Sequence, residues 1–142
     1  MKPMVWRSAA VFGALLLGAS VVQAATYTAM APVDQYMMDR DAEIGLAKSA
    51  APPSISDKAT VMVLTPHGYE MAVTGSNGFV CFVERAWLAE FTNPIFWNPA
   101  VRGPDCLNPA AARSVLPHDL ERAKWALGGL SIPQMIERTK AE

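Results

Sequence analysis

The segment Tyr69-Glu-Met-Ala-Val-Thr-Gly-Ser-Asn-Gly-Phe-Val-Cys-Phe-Val-Glu84 provides the main prediction of the fold. Two runs rich in β-branched and aromatic residues flank a glycine-bounded turn at positions 75–78, which is a strong signal for a β-hairpin. The loop is either Ser76-Asn77 or Asn77-Gly78, and both registers place the same residues on one face. We expect that face to point to the core: Tyr69, Met71, Val73, Val80, Phe82 and Glu84. Cys81 is predicted on the opposite face.

A third strand is predicted just upstream, at residues 60–65, followed by the turn Pro66-His67-Gly68. About three antiparallel strands form the smallest sheet that is stable once covered on one face. The predicted fold is therefore α+β, with a small antiparallel β-meander, an N-terminal helix and a C-terminal helical segment.

The N-terminus resembles a secretory signal peptide. Lys2 and Arg7 precede an apolar run at residues 9–22, and Val22-Gln23-Ala24 offers a cleavage site. The run is short and rich in alanine and glycine for a membrane-spanning helix. We expect a signal peptide at residues 1–24, cleavage after Ala24, no stable membrane anchor afterwards, and a periplasmic or secreted protein.

The mature chain, residues 25–142, is predicted to form a single domain. Residues 25–58 hold a helix and a proline-containing linker, and residues 59–142 form the α+β core. Without Lys2 and Arg7, ten of the 12 basic residues remain against 13 acidic ones, which gives a net charge of about −3. No basic block is present, so neither nucleic acid nor an anionic membrane surface is expected as a partner.

The N-terminal helix is predicted to begin after Asp34 as its cap and to end near Ser49, with Glu43 on its solvated face. Downstream, residues 94–109 carry four prolines and a glycine, which predict an ordered loop without regular structure, packed on the sheet. Asn108 predicts the start of a helix that ends near Leu116, and a second helix is predicted at residues 118–127. Ser131 and Gln134 predict the capping box of a last helix.

The two cysteines, Cys81 and Cys106, predict a disulfide, because a lone pair in an exported chain is usually oxidised. Closing the loop between them would stabilise the fold by roughly 3–4 kcal/mol. We expect the bond to fix the proline-rich loop against the sheet face that carries Cys81. A free nucleophile or a metal thiolate is the alternative.

Few residues indicate catalysis. Glu84 and His67 are weak candidates for a general acid and base, and the convergence of Glu84, His67 and His118 would favour an enzyme. The chain has no phosphate loop, dinucleotide fingerprint or zinc-ligand spacing, so no cofactor and no metal are expected.

Aromatic residues concentrate near the proline-rich loop and predict a ligand surface: Trp87, Phe96, Trp97 and Arg102. The alternative is that these aromatic side chains form the core of a small domain. We expect Trp97 to be the aromatic residue that is partly exposed.

The strings Asn77-Gly-Phe-Val-Cys-Phe-Val-Glu-Arg-Ala-Trp87 and Arg102-Gly-Pro-Asp-Cys-Leu-Asn-Pro109 resemble those of a family of small exported bacterial proteins with no assigned activity. The resemblance extends over roughly the last two-thirds of the chain and implies no substrate, fold or catalytic residue. The sequence thus favours a non-enzymatic binding module for an unknown protein or small-molecule ligand. The alternative is a small envelope hydrolase that uses Glu84 or His67.

Overall fold

The computed structural model describes residues 26–141 and contains one four-stranded mixed sheet with helices on both faces. The strands are β1 (Thr60–Thr65), β2 (Gly68–Val73), β3 (Val80–Glu84) and β4 (Gly103–Leu107), in the spatial order β2-β1-β3-β4. The helices are α1 (Arg40–Lys48), α2 (Pro53–Ser56), α3 (Pro109–Ser114), α4 (Leu116–Leu127) and α5 (Ile132–Lys140), with 3-10 turns at Val33–Tyr36 and Ala86–Leu88. The α+β class is confirmed. The proposed signal peptide lies outside the described residues.

The predicted hairpin between β2 and β3 is wrong, because β1 lies between these two strands. β1 pairs with β2 in antiparallel orientation and with β3 in parallel orientation, so the sheet is not a three-stranded antiparallel meander. The connection from β2 to β3 crosses the start of β1. Lys58 O accepts hydrogen bonds from the backbone N–H groups of Ser76 and Asn77, at 2.8 and 3.2 Å. The turn signal at residues 75–78 therefore belongs to a crossover and not to a hairpin.

A fourth strand, β4, runs through the segment predicted to lack regular structure. It pairs antiparallel with β3, and Cys81 lies directly opposite Cys106. Pro104 is tolerated because β4 is an edge strand, where one side of the backbone needs no ladder partner. The predicted disulfide between Cys81 and Cys106 is confirmed, and it is consistent with an oxidising, exported environment.

Each face of the sheet has its own cover. On one face, α1 packs over β1, β3 and β4, and Ala47 joins a buried cluster with Val61, Cys81 and Val83. On the other face, α4 and the loop before β4 enclose a larger cluster around Phe82: Tyr36, Trp87, Phe96, Trp97, Trp125 and Met135. The loop aromatics thus lie opposite to the predicted side. The disulfide does not need the loop on the face that carries Cys81, because β4 itself places Cys106 opposite Cys81. That face is instead covered by α1.

The N-terminal helix is shorter than predicted. Asp39 is its cap, and the Asp39 Oδ1 atom accepts hydrogen bonds from the N–H groups of residues 41 and 42. Asp34 lies in the preceding 3-10 turn, and Met37 is extended, which separates the two elements. Two C-terminal helix starts are confirmed, with Asn108 capping α3 and a capping box at Ser131 and Gln134. The helix between them, α4, begins at Leu116, two residues before the predicted start.

Glu43 is buried, not solvated, and it forms an ion pair with buried Arg85 at 2.8 Å. The pair lies where β1 and β3 separate, since their parallel pairing covers only Thr60 and Val61. Beyond that point, the N–H of Leu64 donates to Glu43 Oε1 at 3.1 Å. The carbonyl of Val83 accepts from the Arg85 guanidinium and from the hydroxyl of Tyr69. Side chains therefore replace the missing ladder bonds between the two strands.

We expect Glu43→Gln to destabilise the fold by about 3–5 kcal/mol, because it leaves the buried Arg85 guanidinium without its counter-charge. The matched control is Glu137→Gln, which breaks the exposed ion pair with Lys140 and should cost less than about 1 kcal/mol. Urea unfolding of both variants measures the difference. Equal losses would contradict the role assigned to the buried pair.

The crossover requires glycine at position 75. A methyl group there would overlap the backbone of Ala59 and Thr60. We expect Gly75→Ala to destabilise the protein by about 1–3 kcal/mol or more. Gly45 lies within α1 with no atom near its would-be Cβ, so Gly45→Ala should stabilise by about 0.5–1 kcal/mol. Thermal unfolding of the two variants should shift in opposite directions, and a neutral Gly75→Ala would disprove the tight crossing.

Candidate functional site

An open apolar cleft of about 410 Å³ lies where three separate segments of the chain meet. One wall is formed by residues 28–30 and the other by residues 129–133, with Trp97 and Ala126 also lining the cleft. This volume falls within the usual range for small-molecule sites, which are concave and mostly apolar. The cleft is therefore the candidate ligand site.

Tyr36 holds the N-terminal wall of the cleft next to Trp97. Its hydroxyl donates to the carbonyl of Trp97 at 2.8 Å and accepts from the N–H of Ala31 at 3.1 Å. Burial raises the pKa of this phenol, so the hydroxyl stays protonated and able to donate. The Tyr36 ring is held against that of Trp87, with centroids 4.7 Å apart. A single buried tyrosine thus joins the N-terminal segment to the loop that carries Trp97.

The opposite wall is the connection between α4 and α5. Gly129 has a φ of 80°, a conformation that favours glycine, and it turns the chain after α4. The N–H of Leu130 then donates to the carbonyl of Trp125 at 3.0 Å. Ser131 caps α5, whose Met135 is fully buried in the core. This wall is a defined helix–turn–helix connection.

The residues that line the cleft carry no charge, and Thr28 and Ser131 are the residues with hydroxyl groups among them. A shallower recess shares Leu130 and Pro133 with the cleft and extends along α5 to Glu137 and Arg138. The site therefore combines an uncharged interior with one charged end.

The predicted ligand surface is mostly core. Trp87 and Phe96 are buried, with exposed fractions of 0% and 1%. The predicted partial exposure of Trp97 is wrong, since its exposed fraction is 6%, although it lines the cleft. Arg102 donates to the carbonyls of Pro99 and Gln35, at 2.6 and 3.0 Å. It ties the loop to the N-terminal segment. Of the four predicted residues, Trp97 alone belongs to the cleft.

Glu84 is half-buried at the end of β3, where Asp105 and Asp119 are its electrostatic neighbours. Burial, and then the two acids, raise the pKa of Glu84, and burial likewise raises the pKa of Asp119. His118 is exposed and precedes Asp119, so one histidine lies near this acidic cluster. His67 lies exposed in the β1–β2 turn, where its backbone N–H donates to Thr65 Oγ1. The structure therefore associates Glu84 with two aspartates rather than with His67.

A raised carboxyl pKa means that the folded chain binds the proton more tightly than the unfolded chain does. Stability from Glu84 is then greatest at low pH and falls as the pH rises through the folded pKa. We expect Glu84→Gln to unfold at a higher temperature than wild type at pH 7, with the gain shrinking toward pH 4. The gain should stay below about 1 kcal/mol, since the group is half-exposed. Exposed Glu90→Gln is the control, and equal pH profiles for the two variants would contradict this expectation.

Within residues 26–141, no group of three or more His, Cys, Asp and Glu side chains could hold a metal ion. No helix in this part of the chain is long and apolar enough to cross a membrane.

Most of the cleft could not be predicted from the sequence. Residues 28–30 and 129–133 contain no side chain with distinctive chemistry, and the predicted stop at Gly128-Gly129 indicated only the end of a helix. The capping box at Ser131 located the start of α5 but not its position beside Trp97.

Comparison of the chain with protein-family models, with curated proteins and with solved structures found no match.

Proposed function

We propose that this protein is a small exported binding protein whose cleft holds the apolar part of a ligand. The observation that carries the proposal is the uncharged lining of the cleft, built from three segments that a buried tyrosine and a helix connection hold in place. Such a site offers apolar contact and few polar groups, which suits binding rather than acid–base chemistry.

Export is part of the proposal. It is supported by the basic residues and apolar run at the N-terminus and by the Cys81–Cys106 disulfide, which persists in oxidising compartments. The proposed location is the periplasm or the outside of the cell.

The test uses N-phenyl-1-naphthylamine, a neutral apolar dye that fluoresces when it leaves water, with protein recovered in its oxidised form. We expect saturable binding to one site. Ser131→Asp places a charge in the cleft while retaining a good helix cap, and should weaken dye binding at least about threefold, because apolar ligands do not solvate a carboxylate.

The matched control is Asn108→Asp, which changes a helix cap far from the cleft residues in sequence and should leave dye binding unchanged. A second variant, Ala29→Trp, fills the cleft from an exposed position and should also reduce binding. Unsaturable dye binding, or equal binding by all three variants and wild type, would overturn the proposed function.

A hydrolase remains the second candidate, and one observation favours it. Glu84 and Asp119 both have raised pKa values in one acidic cluster, as general acids often do. The two candidates need different residues, since neither carboxylate lines the cleft. Variants in the cluster should therefore leave dye binding intact.

A further inference from the structure

The shallow recess beside the cleft extends the candidate site toward a charged end. It shares Leu130 and Pro133 with the cleft and is otherwise lined by Gln134, Glu137 and Arg138. A ligand that fills the apolar cleft and continues past Leu130 would therefore reach the side chains of α5.

The charges at that end do not cancel. The Glu137 carboxylate is bound by Lys140 at 2.8 Å, and within residues 26–141 Arg138 makes no ion pair. The Arg138 guanidinium instead lies 6.0 Å from the ring centroid of Trp125, a position that orients it without neutralising it. The recess thus presents an available positive charge.

The lining of the cleft also restricts the body of the ligand. A peptide would bring several N–H and C=O groups that need partners, whereas the polar side-chain groups along the cleft are few: the hydroxyls of Thr28 and Ser131 and the indole N–H of Trp97. A hydrocarbon chain has no such groups and needs no hydrogen-bond partners.

Resting on the proposed binding function, we infer that the ligand is an anionic amphiphile, with an unbranched acyl chain in the cleft and a single anionic head group at Arg138. Charge complementarity between the head group and the Arg138 guanidinium favours an anionic amphiphile over a neutral or cationic one.

The experiment measures displacement of N-phenyl-1-naphthylamine by three compounds of equal chain length, all below their micelle concentrations: dodecanoate, dodecanol and dodecyltrimethylammonium. We expect dodecanoate to compete about two- to fivefold better than dodecanol, the range for one exposed charge pair, and the cationic compound to compete worst. Added salt should reduce the preference for dodecanoate.

Arg138→Gln should abolish the preference for dodecanoate while leaving dodecanol binding unchanged. Arg138→Lys should keep most of it, and the matched control Arg113→Gln, an exposed arginine of α3, should keep all of it. Circular dichroism checks that α5 stays folded in each variant.

The outcomes separate the two proposals. If the dye binds but dodecanoate competes no better than dodecanol, or if Arg138→Gln retains the preference, the amphiphile inference is overturned and the binding function stands. If the dye does not bind at all, the binding function fails and the inference fails with it. Displacement by the cationic compound as strong as by dodecanoate would also overturn the inference.

Discussion

The ion pair between Glu43 and Arg85 is the constraint on which the arrangement of this domain depends. It fills the opening between β1 and β3, where the parallel ladder ends after Val61. A buried ion pair is seldom more stabilising than apolar residues of the same volume. Its contribution here is geometric, since it binds the Leu64 N–H and the Val83 carbonyl that the separated strands leave without ladder partners. The helix that carries Glu43 is thereby fixed to both strands.

The same arginine connects the sheet to the cleft. Its Nε donates to the carbonyl of Tyr36 at 2.8 Å, and the Tyr36 hydroxyl in turn binds Trp97 and Ala31. Arg102 acts in parallel, because it donates to the carbonyl of Gln35 from the loop that carries Trp97. The N-terminal wall of the cleft therefore depends on buried polar contacts rather than on regular secondary structure. This dependence explains how a segment without helix or strand keeps a defined position next to a binding site.

Local signals in the sequence predicted local structure well and strand neighbours poorly. The caps at Asn108 and Ser131 and the extent of β1 follow from nearby residues, and so does the disulfide once export is assumed. Residues 75–78 separate two strands, as the sequence predicts, but no local signal shows that β1 lies between the strands that they connect. The sequence does not predict β4, because its proline argues against a strand, although proline is excluded from inner strands and not from edge strands. The sequence places Glu43 in solvent, because a charge on a helix usually is solvated and its partner Arg85 is 42 residues away.

The candidate site escaped prediction for a related physical reason. Sequence patterns point to residues with distinctive chemistry, and of these Trp97 alone lines the cleft, whereas Glu84 and Asp119 form the acidic cluster. The cleft owes its volume to small residues, since Ala29, Ala126 and Gly129 face space that larger side chains would fill. Apolar surface left open in this way is unfavourable in water, and the side chains that line it lack packing partners on the open side. A bound hydrocarbon chain would make those packing contacts and remove the apolar surface from water. Both effects would contribute favourably to the free energy of binding.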